Sequence, residues 1–267
     1  MEQMTLAGNI AIPQIGLGTY DLKEAEIGSG LEAGYRLLDT AWQYGNEKEV
    51  GKAVKASGIK REELFITTKL WTEDIRLGKV REELEESLRN LQMEYVDLYL
   101  IHWPAEKFEA AWAEMVKLKE EGKIRAIGVS NFQIRHFKQL MQASEIVPIL
   151  NQAECHPYFQ NRDIVSYCAK NRIAVQAWCP LGGSYANFTK KEVFTLLADK
   201  YGKTPAQIIL RWHIQKGMLA IPRSSDRNRQ KENLDVFSFR LLPEDMKIID
   251  MLDTGQRIGP DPDNFQF

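Results

Sequence analysis

The chain has 267 residues, and 35 lysines and arginines against 37 aspartates and glutamates leave a formal charge of −2. A protein that neutralises phosphates or lies on an anionic membrane needs a basic excess, so this balance speaks against nucleic-acid and membrane-surface partners. With 44% hydrophobic and 27% charged residues, there is enough apolar material to offset chain entropy, which excludes a disordered chain.

No apolar run approaches the roughly 18 residues of a membrane span. The richest stretch, Val96 to Trp103, is broken by Asp97 and His102. The opening MEQMTLAGNIAIP has neither a basic leader nor a long apolar core, so no signal peptide is expected. Cys155, Cys168 and Cys179 are odd in number and have no metal-type spacing; they fit reduced thiols in a cytoplasmic protein. One domain over 1–267 is expected, since single α/β barrels occupy ~250 residues.

In chain order, Met4–Ile12 carries Gly8-Asn9 between two short runs and predicts a β-hairpin that plugs one end of the fold. Eight brief apolar runs follow: Ile15–Gly18, Arg36–Leu38, Leu64–Thr68, Val96–Ile101, Ile124–Val129, Ile149–Asn151, Ala174–Ala177 and Met218–Ile221. Apolar on both faces, they predict parallel strands covered on each side. Between them, Glu24–Ala33, Glu47–Ala56, Leu77–Leu91, Phe108–Glu121, Ile134–Gln142, Ile164–Lys170 and Pro205–Gln215 mix apolar and charged residues at helical spacing. Gly34, Gly58, Gly122 and Gly217 stand where left-handed helix stops belong. Eight strand–helix units of roughly 33 residues predict an α/β fold, a single (β/α)8 TIM barrel. Periodicity alone leaves an open, doubly wound sheet as the competitor.

The residues that close each run are Thr19, Asp39, Lys69, His102, Ser130-Asn131, Gln152, Trp178 and Arg223-Ser224. In a barrel these ends converge on the face that carries the active site. Tyr44, five residues past Asp39, could turn its phenol over the same mouth. A phenol with a pKa near ~10 is a poor acid near neutrality unless a cation stabilises its anion. Lys69 could supply that cation, Asp39 could hold Lys69 protonated, and His102 could orient a carbonyl. Such a set suits proton delivery to an oxygen that becomes an alcohol.

The motifs around these residues are Leu38-Asp39-Thr40-Ala41, Tyr44-Gly45-Asn46-Glu47, Thr68-Lys69-Leu70-Trp71 and Leu100-Ile101-His102-Trp103-Pro104. Further along come Ile127-Gly128-Val129-Ser130-Asn131-Phe132, Asn151-Gln152-Ala153-Glu154, Pro180-Leu181-Gly182 and Ile221-Pro222-Arg223-Ser224, then Arg229 and Glu232-Asn233. In this order, from Met4 to the C-terminus, the sequence resembles the aldo-keto reductase family, in the bacterial flavour of the 2,5-diketo-gluconate reductases. The resemblance implies NADPH-dependent reduction of a small aldehyde or ketone, by a monomer, with Tyr44 as general acid, Lys69 and Asp39 tuning it and His102 orienting the carbonyl. It implies that Ser130, Asn131 and Gln152 hold the nicotinamide carboxamide. It implies too that Arg223, Ser224, Arg229, Glu232 and Asn233 hold the adenosine and its 2′-phosphate. Tyr20, Trp71, Trp103 and Phe132 would wall the substrate pocket.

The sequence departs from the family pattern at two cofactor positions. Trp178 stands where a tyrosine usually stacks on the nicotinamide, and Arg223 where a lysine usually meets phosphate. A guanidinium suits phosphate, so NADPH is expected over NADH, with NADH the other possibility. The segment Pro104–Glu109 and the tail after Asp253 look short, which predicts an open, permissive pocket. Two rival functions share the barrel: a cofactor-sensing binding protein without turnover, and a Schiff-base aldolase using Lys69. His136, His156 and His213 have no partners at metal spacing, so no metal is expected. Gly28-Ser29-Gly30-Leu31-Glu32-Ala33 mimics a dinucleotide fingerprint but sits inside a helical stretch with no strand before it, and is set aside. Cys179 has no base placed beside it by the sequence.

Overall fold

The computed structural model describes residues 2–267, the side chains of 184 and 185 excepted. Strands β1 (Gln3–Leu6) and β2 (Ile10–Pro13) pair antiparallel around Gly8, whose φ of 73° is the left-handed turn that the hairpin reading requires. Eight parallel strands follow: β3 (Leu17–Gly18), β4 (Leu37–Asp39), β5 (Phe65–Leu70), β6 (Val96–Ile101), β7 (Ile124–Ser130), β8 (Leu150–Glu154), β9 (Ala174–Trp178) and β10 (Leu219–Ala220). They lie side by side in chain order, and the first meets the last. Ile15 bridges Ala220, and the Gly16 and Gly18 amides donate to Ala220 and Pro222 carbonyls at 2.9 and 3.1 Å. That seam closes the sheet, so the barrel holds and the open sheet does not.

Helices cover the outside: α1 (Glu24–Ala33), α2 (Glu47–Ser57), α3 (Thr72–Leu77), α4 (Val80–Leu91), α5 (Phe108–Glu120), α6 (Ile134–Ala143) and α7 (Arg162–Lys170). Then come α8 (Gly183–Ala186), α9 (Glu192–Tyr201), α10 (Pro205–Gln215), α11 (Arg227–Leu234) and α12 (Pro243–Asp250). The expected helix Leu77–Leu91 begins later, as α4 at Val80; Leu77 instead ends the separate helix α3, which Gly78 at φ 72° stops. Helices α3, α8, α9, α11 and α12 were not anticipated; α11 has no apolar residue among its buried ones. Its start is fixed locally, by Asp226 accepting the Arg229 amide at 2.9 Å. The false fingerprint at Gly28 lies inside α1.

Two hydrophobic layers result. The larger lies between sheet and helices, around Tyr99, Trp112, Phe137 and Trp212. The smaller fills the barrel: Leu37, Phe65, Leu98, Leu100, Ala126, Leu150, Leu219 and Ile221, floored by Leu6 and Ile12 of the hairpin. Strand side chains alternate, so residues two further along point inward as well. Leu37 is followed by Asp39, Phe65 by Thr67 and Lys69, Leu100 by His102, Leu150 by Gln152. The apolar floor and the polar mouth are successive rungs of one ladder.

Candidate functional site

Lys69 is wholly buried at the end of β5. Its three ammonium protons have three acceptors: Asp39 Oδ1 at 2.5 Å, the Thr40 carbonyl at 2.8 Å and Tyr44 Oη at 3.3 Å. An ammonium with no free proton and an adjacent carboxylate stays charged: Asp39 and Tyr44 outweigh burial and hold Lys69 above its ordinary value. Asp39 is pushed up by burial, against the pull of Lys69.

Tyr44 reaches this ammonium through a single 3-10 turn, Trp42–Tyr44, that ends at Gly45 with φ 66°. Asn46 braces the turn. Its amide donates to the Thr19 and Leu22 carbonyls at 2.6 and 3.0 Å, and its Oδ1 accepts from Thr40 Oγ1 at 3.2 Å. Because Lys69 donates to Tyr44 Oη, the phenol's own hydrogen points elsewhere. Burial raises the Tyr44 pKa by more than Lys69 lowers it. This corrects the expectation of a phenol made more acidic by its neighbour: Lys69 only moderates a rise imposed by desolvation.

His102 stands beside them, its ring 5.8 Å from that of Tyr44 and 5.2 Å from that of Trp71. Burial, with Lys69 nearby, holds it well below its ordinary 6.5, so the imidazole is neutral. The four residues expected to act together are thus brought together.

The next three strands carry the amide-rich side. Ser130 Oγ donates to the Gln152 carbonyl at 2.8 Å. Asn131, at φ 61°, donates to the His102 carbonyl at 3.0 Å and accepts from Trp178 Nε1 at 2.8 Å. Gln152 Nε2 donates to Asp39 Oδ2 at 2.6 Å. Among the described residues, nothing donates a hydrogen bond to Gln152 Oε1. Arg223 is turned onto the loop after β3, with Nε on the Tyr20 carbonyl at 2.7 Å and Nη2 on Asp21 Oδ2 at 3.2 Å. Ser224 is buried, Arg229 is exposed in the first turn of α11, Glu232 is half-buried, and Asn233 is buried near Tyr35.

The aromatic walls are only partly as expected. Tyr20 meets Tyr44 edge to face at 5.1 Å, and Trp71 and Trp103 flank the mouth. Phe132 does not. Its ring is fully buried against Phe108, His136 and Phe137, because the left-handed turn at Asn131 directs the next side chain into the layer beneath α5 and α6. Its place is taken by residues no sequence signal marked. Phe267 stacks on Trp71 at 5.3 Å and 8°, and Phe265 packs on Trp103 at 5.3 Å. The short tail therefore closes over the rim instead of leaving it open. It is pinned upstream, where the Glu154 carboxylate accepts the Ile258 and Gly259 amides at 2.6 and 3.1 Å. A methyl group on Gly259 would lie 2.3 Å from Trp178 Cη2, so only glycine lets the tail cross that ring. Glu83 of α4 was missed as well; it accepts the Trp71 amide at 3.1 Å, and burial pushes its carboxyl up to about 10.

Burial pushes all three cysteine thiols up to about 12, which leaves no thiolate. Among the described residues, no cluster of His, Cys, Asp and Glu could hold a metal, and no helix is long and apolar enough to cross a membrane.

A closed parallel barrel with this polar set at its carboxyl end is the architecture of a large class of enzymes. The Aldo/keto reductase family model matches residues 21–254, and the chain belongs to that family, an oxidoreductase family. It is 45% identical to methylglyoxal reductase DkgA of Escherichia coli over 97% of this chain and 95% of that one. It is 42% identical to glyoxal reductase of Bacillus subtilis over 100% and 98% of the two chains. Among solved structures, an aldo-keto reductase, MGS-M4, from a Medee basin deep-sea metagenome library superposes with a TM-score of 0.95 at 41% identity, covering 99% of this chain and 100% of that one. A Gox0644 variant in complex with NADPH gives 0.94 at 37% identity, with 100% and 99% covered.

Proposed function

We propose that residues 1–267 form one catalytic unit that reduces small aldehydes and ketones to alcohols with NADPH, Tyr44 being the general acid. The observation that carries this is the hydrogen bond from Lys69 to Tyr44 Oη. It leaves the phenolic hydrogen free for a substrate oxygen and places a fixed positive charge where phenolate forms.

The cofactor reading rests on fit. Gln152 offers an unused carbonyl beside Ser130 and Asn131, Trp178 offers an indole held by Asn131, and Arg223 and Arg229 offer guanidinium groups at the far end. When bound, NADPH supplies the hydride. The chain supplies everything else. His102, neutral, donates its ring N–H to the substrate oxygen and so orients the carbonyl. Tyr44 passes its proton to that oxygen as negative charge builds there. Lys69 then balances the phenolate, and Asp39 balances Lys69. Arg223 must leave Asp21 to meet a phosphate, and its fork keeps NADPH ahead of NADH.

The substrate is a compact carbonyl compound. Relatives named as methylglyoxal and glyoxal reductases suggest small two-carbonyl aldehydes, and the tail rings of Phe265 and Phe267 pack on Trp103 and Trp71 at the rim. The aldolase alternative is disfavoured because a Schiff-base lysine must be neutral, whereas Lys69 is held as an ammonium. Following NADPH absorbance with methylglyoxal tests the reading. Tyr44→Phe should keep its cofactor affinity and lose about 10²–10⁴-fold in kcat. Undiminished turnover in that variant would remove Tyr44 from the chemistry.

A further inference from the structure

We propose that Gln176 is a positioning residue for the nicotinamide, acting through Gln152; the inference rests on the cofactor reading above. Gln176 is fully buried on β9, one inward rung below Trp178, and pairs in register with Gln152 on β8. Its Oε1 accepts from Gln152 Nε2 at 2.8 Å, while Asp39 Oδ2 accepts from the same nitrogen at 2.6 Å. Both protons of the Gln152 amide are thereby used inside the barrel. One acceptor alone would let the amide pivot about that contact. Two acceptors on different strands fix its plane and leave Gln152 Oε1 with no donor among the described residues.

The arrangement carries a cost that points to a purpose. Gln176 Nε2 is enclosed and has no hydrogen-bond partner among the described residues. A buried unpaired donor is destabilising, and an apolar side chain of similar size would avoid it. The glutamine therefore offsets its cost through what its oxygen does for Gln152. The chain Gln176–Gln152–Asp39–Lys69–Tyr44 is continuous in hydrogen bonds, so it joins the amide that meets the cofactor to the phenol that meets the substrate.

The test compares two nucleotides on the intact protein. NADPH has a nicotinamide, and 2′,5′-ADP has the same adenosine end without one. In Gln176→Leu, the Kd for NADPH should rise about threefold to tenfold, the scale of one lost neutral hydrogen bond, with the Kd for 2′,5′-ADP unchanged. The Tm should change little, because the unpaired Gln176 donor goes while one Gln152 N–H loses its acceptor in exchange. Gln176→Glu, which keeps an acceptor at the same place, should restore the ratio of the two Kd values. An unchanged ratio in Gln176→Leu overturns the inference alone. So does an equal loss for both nucleotides with a lowered Tm, since that is the signature of a residue that only holds the barrel together. Wild-type protein that binds neither nucleotide overturns the cofactor reading, and this inference with it.

Discussion

The phenol of Tyr44 sits between two opposed effects, and their balance sets the pH behaviour of the reaction. Burial raises its pKa above the ordinary 10.0, and the Lys69 ammonium pulls it back only in part. The protonated form is the one a reductase uses, so raising the pKa extends activity to higher pH. Plotting kcat/KM for carbonyl reduction should give a flat profile from about pH 6 to about pH 9, with a fall only above the ordinary tyrosine range. His102 adds no inflection there, being neutral far below 6.5. Alcohol oxidation uses the phenolate, so its rate should climb over the same interval. A reduction profile that bends near neutrality would assign the proton to another group. At this scale the sequence pointed to candidates: Asp39, Lys69 and His102 stood out because they close apolar runs, and Tyr44 because it lies five residues past Asp39. It was silent on magnitude, because desolvation depends on how much protein closes over each group.

Elements decide which side chains reach the mouth. Lys69, His102 and Gln152 were legible as residues that close apolar runs, and strand alternation from the barrel's apolar floor accounts for their facing inward. No such rule reaches a loop or a tail. Phe132 reads like a pocket wall beside Asn131, and one left-handed residue sends it into the core. Phe265 and Phe267 lie in a tail with no periodicity, yet they lie on Trp103 and Trp71, with the Phe267 carbonyl accepting from Arg76 at 3.1 Å. A bulky substrate must displace them. Removing residues 265–267 should lower KM for aryl ketones about threefold to tenfold, the scale of one or two aromatic contacts, and leave methylglyoxal kinetics nearly unchanged. Equal effects on both substrates would mean that the tail steadies the barrel rather than filling the pocket.

The whole molecule separates stability from chemistry along the barrel axis. Ile12 of the hairpin is fully buried beneath the inner apolar layer, at the end opposite Tyr44 and Lys69. Ile12→Ala should therefore cost about 2–5 kcal/mol in denaturant unfolding while kcat stays at the wild-type value. A parallel loss of kcat would show the two ends to be coupled. By itself the sequence determined the repeating strand–helix rhythm, the hairpin and the order of polar residues at the strand ends, because these follow from local periodicity and turn chemistry. Tertiary structure alone decided that the sheet closes, through the pairing of Ile15 with Ala220 across more than two hundred residues. It also decided where the aromatic rings of the tail come to rest and which way a burial penalty moves a proton. Those outcomes depend on contacts between residues far apart in the chain, and no local pattern encodes them.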